Sequence, residues 1–123
     1  MSIKDFYDLE AWKSGHEFVI KIYKLTSHFP KSELYGIISQ LRRAASSVTA
    51  NIAEGFSRYH FKDKIKFYYI SRGSISECQN YLLISKDIQY LDNNEFNLYW
   101  DQAEKTRKIL NGLIRSTGDR IEK

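Results

Sequence analysis

The sequence predicts an all-α fold, an up-down-up-down antiparallel four-helix bundle. Apolar residues recur at three- and four-residue spacing through four segments, as they do along the buried face of a bundle helix. The chain has one proline and six glycines in 123 residues, which leaves few turns and favours long helices over many short strands. Short connections join the four segments, and short connections place consecutive helices side by side and antiparallel.

The first two helices are predicted over residues 8–28 and 33–57, because Pro30 separates two periodic segments and proline cannot continue a helix past its first turn. The first helix has two adjacent apolar stripes, which predict a wide buried face: Leu9, Trp12, His16, Val19 and Tyr23, then Ala11, Gly15, Phe18, Ile22 and Leu25. The second helix has one continuous seam, formed by Leu34, Ile38, Leu41, Ala45, Val48, Ile52 and Gly55.

The third and fourth helices are predicted over residues 61–90 and 93–116. The apolar pattern loses phase between Ser57 and Phe61, which indicates a turn there. Asp92 and Glu95 have the spacing of a capping box, a typical start of a helix. Residues 1–123 are predicted to form a single domain, long enough to bury a core without disulfides or metals. The core-facing residues predicted for the third helix are Phe67, Ile70, Ser74, Glu77, Tyr81, Ile84, Ile88 and Leu91.

The positive charge of the chain is concentrated in one region. The formal net charge is +4, and residues 40–72 contain seven basic and two acidic residues, a net of +5. The segment RYHFKDKIKFYY alternates basic and aromatic residues, a composition that suits single-stranded nucleic acid. Solvated lysines on an exposed helix would give the same count. The predicted nucleic-acid-binding residues are Arg42, Arg58, Lys62, Lys64, Lys66 and Arg72.

Polar residues interrupt or flank the apolar stripes of the second and third helices. A buried carboxylate without a donor costs several kcal/mol, so Glu77, if buried, needs a partner, and an antiparallel pairing places Arg43 opposite it. Two carboxylates in one core, Glu54 and Glu77, could instead form an acid–base pair. The predicted structural polar network consists of Gln40, Arg43, Ser47, Asn51, Glu54, Ser74 and Glu77.

No pattern of catalytic or metal-binding residues is recognisable. A di-iron bundle needs Glu-x-x-His motifs, but Lys13, Leu25 and Ser57 stand three residues before the histidines. Cys78 has no evident base or zinc co-ligand, and packing near the core explains it. We therefore expect no catalytic residues, no metal, no cofactor and no enzymatic activity. The start of the chain lacks a signal-peptide pattern and no apolar run reaches about 20 residues, so we expect a cytoplasmic protein without a membrane partner.

Three segments have a distinctive order and spacing: DLEAWKSGHEF, FPKSELYGIISQLRRAASSVTANIAEGFSR and FYYISRGSISECQNYL. Over residues 8–91 they resemble the bacterial four-helix-bundle proteins of the 23S rRNA-intervening sequence family, which are encoded within 23S ribosomal RNA genes. The most specific part is the run over residues 40–58, followed by the pattern GSxxE over residues 73–77.

The resemblance implies a homopentameric ring and brings no catalytic residue. A related branch of the family serves as accessory protein of diversity-generating retroelements, where a basic pentamer binds nucleic acid and a reverse transcriptase. Two hypotheses follow: a non-enzymatic, oligomeric protein that binds RNA or associates with ribosomes, or a protein-interaction scaffold such as a reverse-transcriptase accessory protein. The matching positions would serve the fold or the assembly: Gln40, Arg43, Ser47, Asn51, Glu54, Gly55, Ser74 and Glu77.

Overall fold

The structure, a computed structural model, describes residues 2–121 and is entirely helical. Four long helices follow one another: α1 (Glu10–Thr26), α2 (Ser39–Ser57), α3 (Phe61–Asp87) and α4 (Asn93–Asp119). None of the residues that the structure describes forms a strand. The predicted all-α class and the number of helices are confirmed.

Each helix packs against the next one along the chain, and α1 also packs against α4. Cross-helix contacts give the direction: Ser47 of α2 contacts Ser74 of α3, and Gln40 of α2 contacts Tyr81 of α3. Residue numbers rise along one helix as they fall along its partner, so the pair is antiparallel. Side-chain contacts between α3 and α4 and between α1 and α4 follow the same antiparallel order. The α2–α3 turn, the end of α4 and the start of α1 therefore lie at the same end of the bundle.

The registers predicted for the first two helices agree well with the buried core. On α1 the stripe containing Phe18 and Ile22 is buried, while His16 and Tyr23 of the neighbouring stripe are exposed. On α2 the seam from Leu41 to Gly55 is buried throughout: Leu41, Ala45, Val48, Ile52 and Gly55. These two helices have the apolar residues that the core needs at the positions that face it.

The register predicted for α3 is wrong at four of its eight positions, while Ser74 and Leu91 are buried as predicted. Ile70, Ile84 and Ile88 are 51%, 41% and 46% exposed, and Glu77 is exposed as well. Most of the buried residues of α3 come one position later in the sequence than predicted, a rotation of about 100° around the helix axis. Several of them are small or polar, which lets α2 and α3 approach closely. This buried line consists of Tyr68, Ser71, Ser74, Ile75, Cys78, Gln79, Leu82 and Ser85.

The second helix begins later than predicted. A 3₁₀ turn (Lys31–Glu33) and a π turn (Leu34–Ile38) precede α2, and Gly36 has the non-helical angles φ −107° and ψ −120°. The Tyr90 hydroxyl donates a hydrogen bond of 2.7 Å to the Glu33 carboxylate and ties this segment to the α3–α4 connection. Leu34 therefore leaves the predicted seam and is 48% exposed.

The α3–α4 connection contains the predicted helix cap. Gln89 has a positive φ of 66°, which ends α3 earlier than residue 90. The Asp92 carboxylate accepts from the Glu95 backbone N–H at 2.8 Å, and the Glu95 carboxylate accepts from the Asp92 N–H at 3.2 Å. This reciprocal pair confirms the capping box. Among residues 2–121, no helix combines the length and apolar composition that crossing a membrane requires.

Candidate nucleic-acid interface

Part of the predicted polar network is present between α2 and α3. The Ser47 and Ser74 hydroxyls are 2.9 Å apart, and the Asn51 side-chain amide donates to the carbonyl and hydroxyl oxygens of Ser47 at 2.8 and 2.9 Å. Small hydroxyl residues suit this place because they satisfy one another while the two backbones stay close. Contact among these three residues is confirmed.

The predicted buried pair between Arg43 and Glu77 is wrong. Both side chains are exposed in the single chain, because the buried line of α3 is rotated away from Glu77. Glu54 is also exposed and lies 3.3 Å from Arg58, with which it forms an ion pair at the end of α2. The acid–base alternative started from two carboxylates in one core, and neither Glu54 nor Glu77 lies there.

The sequence prediction missed the polar contacts that α4 makes with its neighbours. The Ser14 and Thr106 hydroxyls are 2.8 Å apart in the core between α1 and α4. On the other side of α4, the Gln79 amide donates to the Glu104 carboxylate at 2.7 Å, and this hydrogen bond lowers the pKa of Glu104. Ser14 and Thr106 lie at the three- and four-residue spacing of the apolar residues in their helices. The pattern that identified the seam of α2 could therefore have predicted that these two residues are buried.

Cys78 is completely buried in α3. Burial raises the pKa of its thiol to about 12, and the nearby Glu77 carboxylate acts in the same direction. A reactive cysteine needs the opposite, an environment that stabilises the thiolate. The position agrees with the predicted packing role.

Arg42 and Arg72, two of the predicted nucleic-acid-binding residues, are engaged within the bundle. The Arg42 Nε donates to the Thr26 hydroxyl at 2.8 Å, and its guanidinium lies 4.7 Å from the centre of the Tyr23 ring. The Arg72 guanidinium donates to the Asn111 side chain at 3.0 Å, across the α3–α4 contact. Both arginines are only partly exposed and stabilise packing between helices.

Lys64 is directed towards the end of α2. Its ammonium donates to the Phe56 carbonyl at 2.5 Å and lies 5.1 Å from the centre of the Phe56 ring. The carbonyls of a last helical turn lack partners within the helix, so Lys64 satisfies one of them. Partial burial lowers the pKa of Lys64.

The other predicted cations, Arg58, Lys62 and Lys66, are exposed and lie at or just after the α2–α3 turn. Arg58 pairs with Glu54 at 3.3 Å and lies over the Phe67 ring, 4.6 Å from its centre, and Lys66 pairs with Asp63 at 3.8 Å. Exposed ion pairs are weak, so these cations can exchange their partners for phosphates. Arg42 lies in the first turn of α2, about 24 Å from Arg58 along the helix axis. Arg58, Lys62 and Lys66 therefore remain as the local group.

An open cavity of about 830 Å³ lies beside these cations, at the end of the bundle. We call it the turn cavity; its lining consists of Tyr59, His60, Phe61, Lys62, Asp63, Arg120 and Ile121. Arg120 follows the end of α4, and its guanidinium lies 5.7 Å from the centre of the Phe61 ring. The sequence prediction missed Arg120, although the end of α4 in an antiparallel bundle meets the α2–α3 turn.

Comparison with known proteins agrees with this fold. The sequence model of the 23S rRNA-intervening sequence protein family matches residues 7–112. The chain is also similar to a crystal structure from Bacteroides thetaiotaomicron VPI-5482, described as a protein with unknown function from the S23 ribosomal protein family, with a TM-score of 0.75. The two are 20% identical over 85% of this chain and 97% of that one, so this likeness shows the fold alone. No curated protein matches the chain.

Proposed function

The chain belongs to the 23S rRNA-intervening sequence protein family, and from this we propose that it is a bacterial, non-enzymatic, oligomeric RNA-binding protein that associates with ribosomal RNA or ribosomes. The observation that supports RNA binding best is the exposed group of cations at the α2–α3 turn, Arg58, Lys62 and Lys66. Clustered lysine and arginine on one face attract the phosphate backbone of a nucleic acid. The proposed location is the cytoplasm, where ribosomal RNA is found.

RNA binding by this surface should be strongly dependent on salt. Neutralising three phosphates of a single strand gives a slope of log K against log salt of about −2 per chain. Fluorescence anisotropy of a labelled RNA over a range of salt concentrations measures this slope. Changing Arg58, Lys62 and Lys66 to glutamine should abolish most of the binding.

A matched control changes Lys13, Lys24 and Lys31 to glutamine, since these lysines are exposed and lie outside residues 40–72. This control removes the same charge and should bind RNA like the parent. A folded parent protein that binds no RNA at low salt would refute the proposed function. If both variants lost RNA binding equally, the binding would depend on the net charge of the protein and not on the cations at the α2–α3 turn.

We propose that the protein assembles into a homopentameric ring through the exposed isoleucines of α3 and the residue that follows it, Ile88. Ile70, Ile84 and Ile88 recur at helical spacing and therefore share one face, and all three are more than 40% exposed in the single chain. Exposed apolar faces of this kind are typical of protein–protein contacts. The occupant is a second copy of the chain, whose different surface covers the isoleucine face in a head-to-tail contact; such a contact closes into a ring when five equal rotations complete a turn.

Replacing Ile84 with lysine should convert the ring to smaller species without loss of helix content. The lysine would place a charge in the proposed subunit contact and leave the core of the chain untouched. Light scattering during size-exclusion chromatography gives the mass, and circular dichroism gives the helix content. The conservative change Ile84→Leu should keep the parent mass; a monomeric parent would refute the ring.

A protein-interaction scaffold, such as a reverse-transcriptase accessory protein of a diversity-generating retroelement, is the second candidate function. A separate groove of about 400 Å³ beside the π turn supports it, with the exposed Leu34 and Tyr35 next to Arg42 and Arg43. Mixed apolar and basic grooves suit a protein partner. Purification from the native host, with sequencing of bound RNA and identification of bound protein, separates the two candidates.

A further inference from the structure

We propose that the turn cavity binds single-stranded RNA by stacking an unpaired base on Tyr59, while Lys62 and Arg120 contact the flanking phosphates. The proposal rests on the RNA-binding function proposed above and specifies its site. It adds Arg120, which follows α4, to the binding surface that the sequence analysis predicted around the α2–α3 turn.

Tyr59 has the exposure that a stacking residue needs. The residue lies in the three-residue connection between α2 and α3 and is 89% exposed, so its ring contributes little to the core. The His60 ring packs perpendicular to it, with 5.0 Å between ring centres and an angle of 84°. A perpendicular contact uses at most one face of the Tyr59 ring, and the other face stays open to a base.

The cations of the cavity come from two different elements. Lys62 lies in the first turn of α3, and Arg120 follows α4, so the cavity presents positive charge from two sides. The acidic residue of the lining is Asp63, whose carboxylate lies 3.8 Å from the ammonium of Lys66. The ion pair with Lys66 offsets the negative charge of Asp63, which would otherwise repel the phosphates bound by Lys62 and Arg120.

The proposed stacking contact favours a single strand over a duplex. Its volume of about 830 Å³ lies within the rough 300–1,000 Å³ range of sites that enclose a small ligand. A base in an A-form duplex is already stacked and paired, so its face cannot reach a tyrosine, whereas an unpaired base can turn outwards. Stacking on an aromatic side chain is tolerant of sequence because every base has a flat face.

A short single-stranded RNA containing 2-aminopurine tests the proposal directly, because the fluorescence of this base falls when it stacks. The parent protein should bind the strand and quench the fluorescence. Tyr59→Ala should abolish the quenching and weaken binding about 5-fold or more, whereas Tyr59→Phe, which keeps the ring, should retain both. The matched control is Tyr35→Ala, which removes a tyrosine that is 93% exposed at the opposite end of the bundle.

Arg120→Gln provides an independent test of the phosphate contact. It should weaken binding and reduce the magnitude of the salt slope by about 0.7, without removing the quenching. This result would distinguish a cation at the phosphates from one that only supports the fold.

The outcomes separate this proposal from the function on which it rests. RNA binding that is unchanged in Tyr59→Ala, or a duplex of equal length bound as tightly as the strand, would overturn the stacking site and leave RNA binding intact. Loss of quenching in Tyr59→Phe would overturn the role of the ring. A parent that binds neither strand nor duplex would overturn both proposals.

Discussion

Replacing Leu82 with alanine should lower the free energy of unfolding by about 2–5 kcal/mol, the range measured for truncation of buried leucines. Leu82 lies on the buried line of α3 and is 0% exposed. The same truncation at Ile84, two residues further along and 41% exposed, should change the unfolding free energy of the single chain by less than about 0.5 kcal/mol. Denaturant unfolding followed by circular dichroism measures both values.

These two variants also separate packing within the chain from association between chains. The loss caused by Leu82→Ala should be independent of protein concentration, because it arises inside the bundle. Any loss caused by Ile84→Ala should grow with protein concentration, because association stabilises the folded state by mass action. A large loss at Ile84 that does not vary with concentration would place this residue in the core and contradict the register of α3.

Replacing Gly55 with alanine should lower the free energy of unfolding by about 1–3 kcal/mol, the usual cost of overpacking. An added Cβ at Gly55 would lie 2.7 Å from Cε1 of Tyr68 and 2.9 Å from the backbone carbonyl oxygen of Lys64. A backbone oxygen cannot rotate away as a flexible side chain can, so α2 and α3 would have to separate. Thermal or denaturant unfolding of the variant measures the cost.

Gly112→Ala is the matched control for the change at Gly55. An added Cβ at Gly112 would have its nearest neighbour 4.0 Å away, the mobile end of Arg115. Alanine is a better helix former than glycine by about 1 kcal/mol, so this variant should be as stable as the parent or more stable. If Gly55→Ala also stabilised the protein, the close approach of α2 and α3 at this point would be wrong.

The sequence predicted the helices and two registers correctly because α1 and α2 place large apolar residues on their buried faces. It failed on α3 because large apolar residues occur on both the buried and the exposed face of this helix, so hydrophobicity alone does not identify the buried one. Ser71 and Cys78 lie in the core, where α2 approaches closely, while Ile70 and Ile84 are partly exposed on the surface of the single chain. Periodicity measures how apolar a stripe is, and it contains no information about whether another chain will cover it.

The same error determined which parts of the candidate site were predicted. Ser47, Asn51 and Ser74 lie on the α2–α3 contact in either register, so their contact was predicted correctly. The prediction of a buried Arg43–Glu77 pair was wrong because it required Glu77 to lie on the buried face of α3. Arg120 is distant in sequence from the α2–α3 turn, so only the antiparallel arrangement of the helices brings it into the turn cavity.

The burial of Cys78 has a practical consequence for experiments on this chain. Cys78 is its one cysteine, and a thiol-specific reagent can reach it only when α3 separates from its neighbours. The rate of labelling under native conditions therefore measures how often the bundle opens at this helix, without an introduced probe. Comparing that rate with global unfolding would reveal whether α3 breathes on its own or only when the whole domain unfolds.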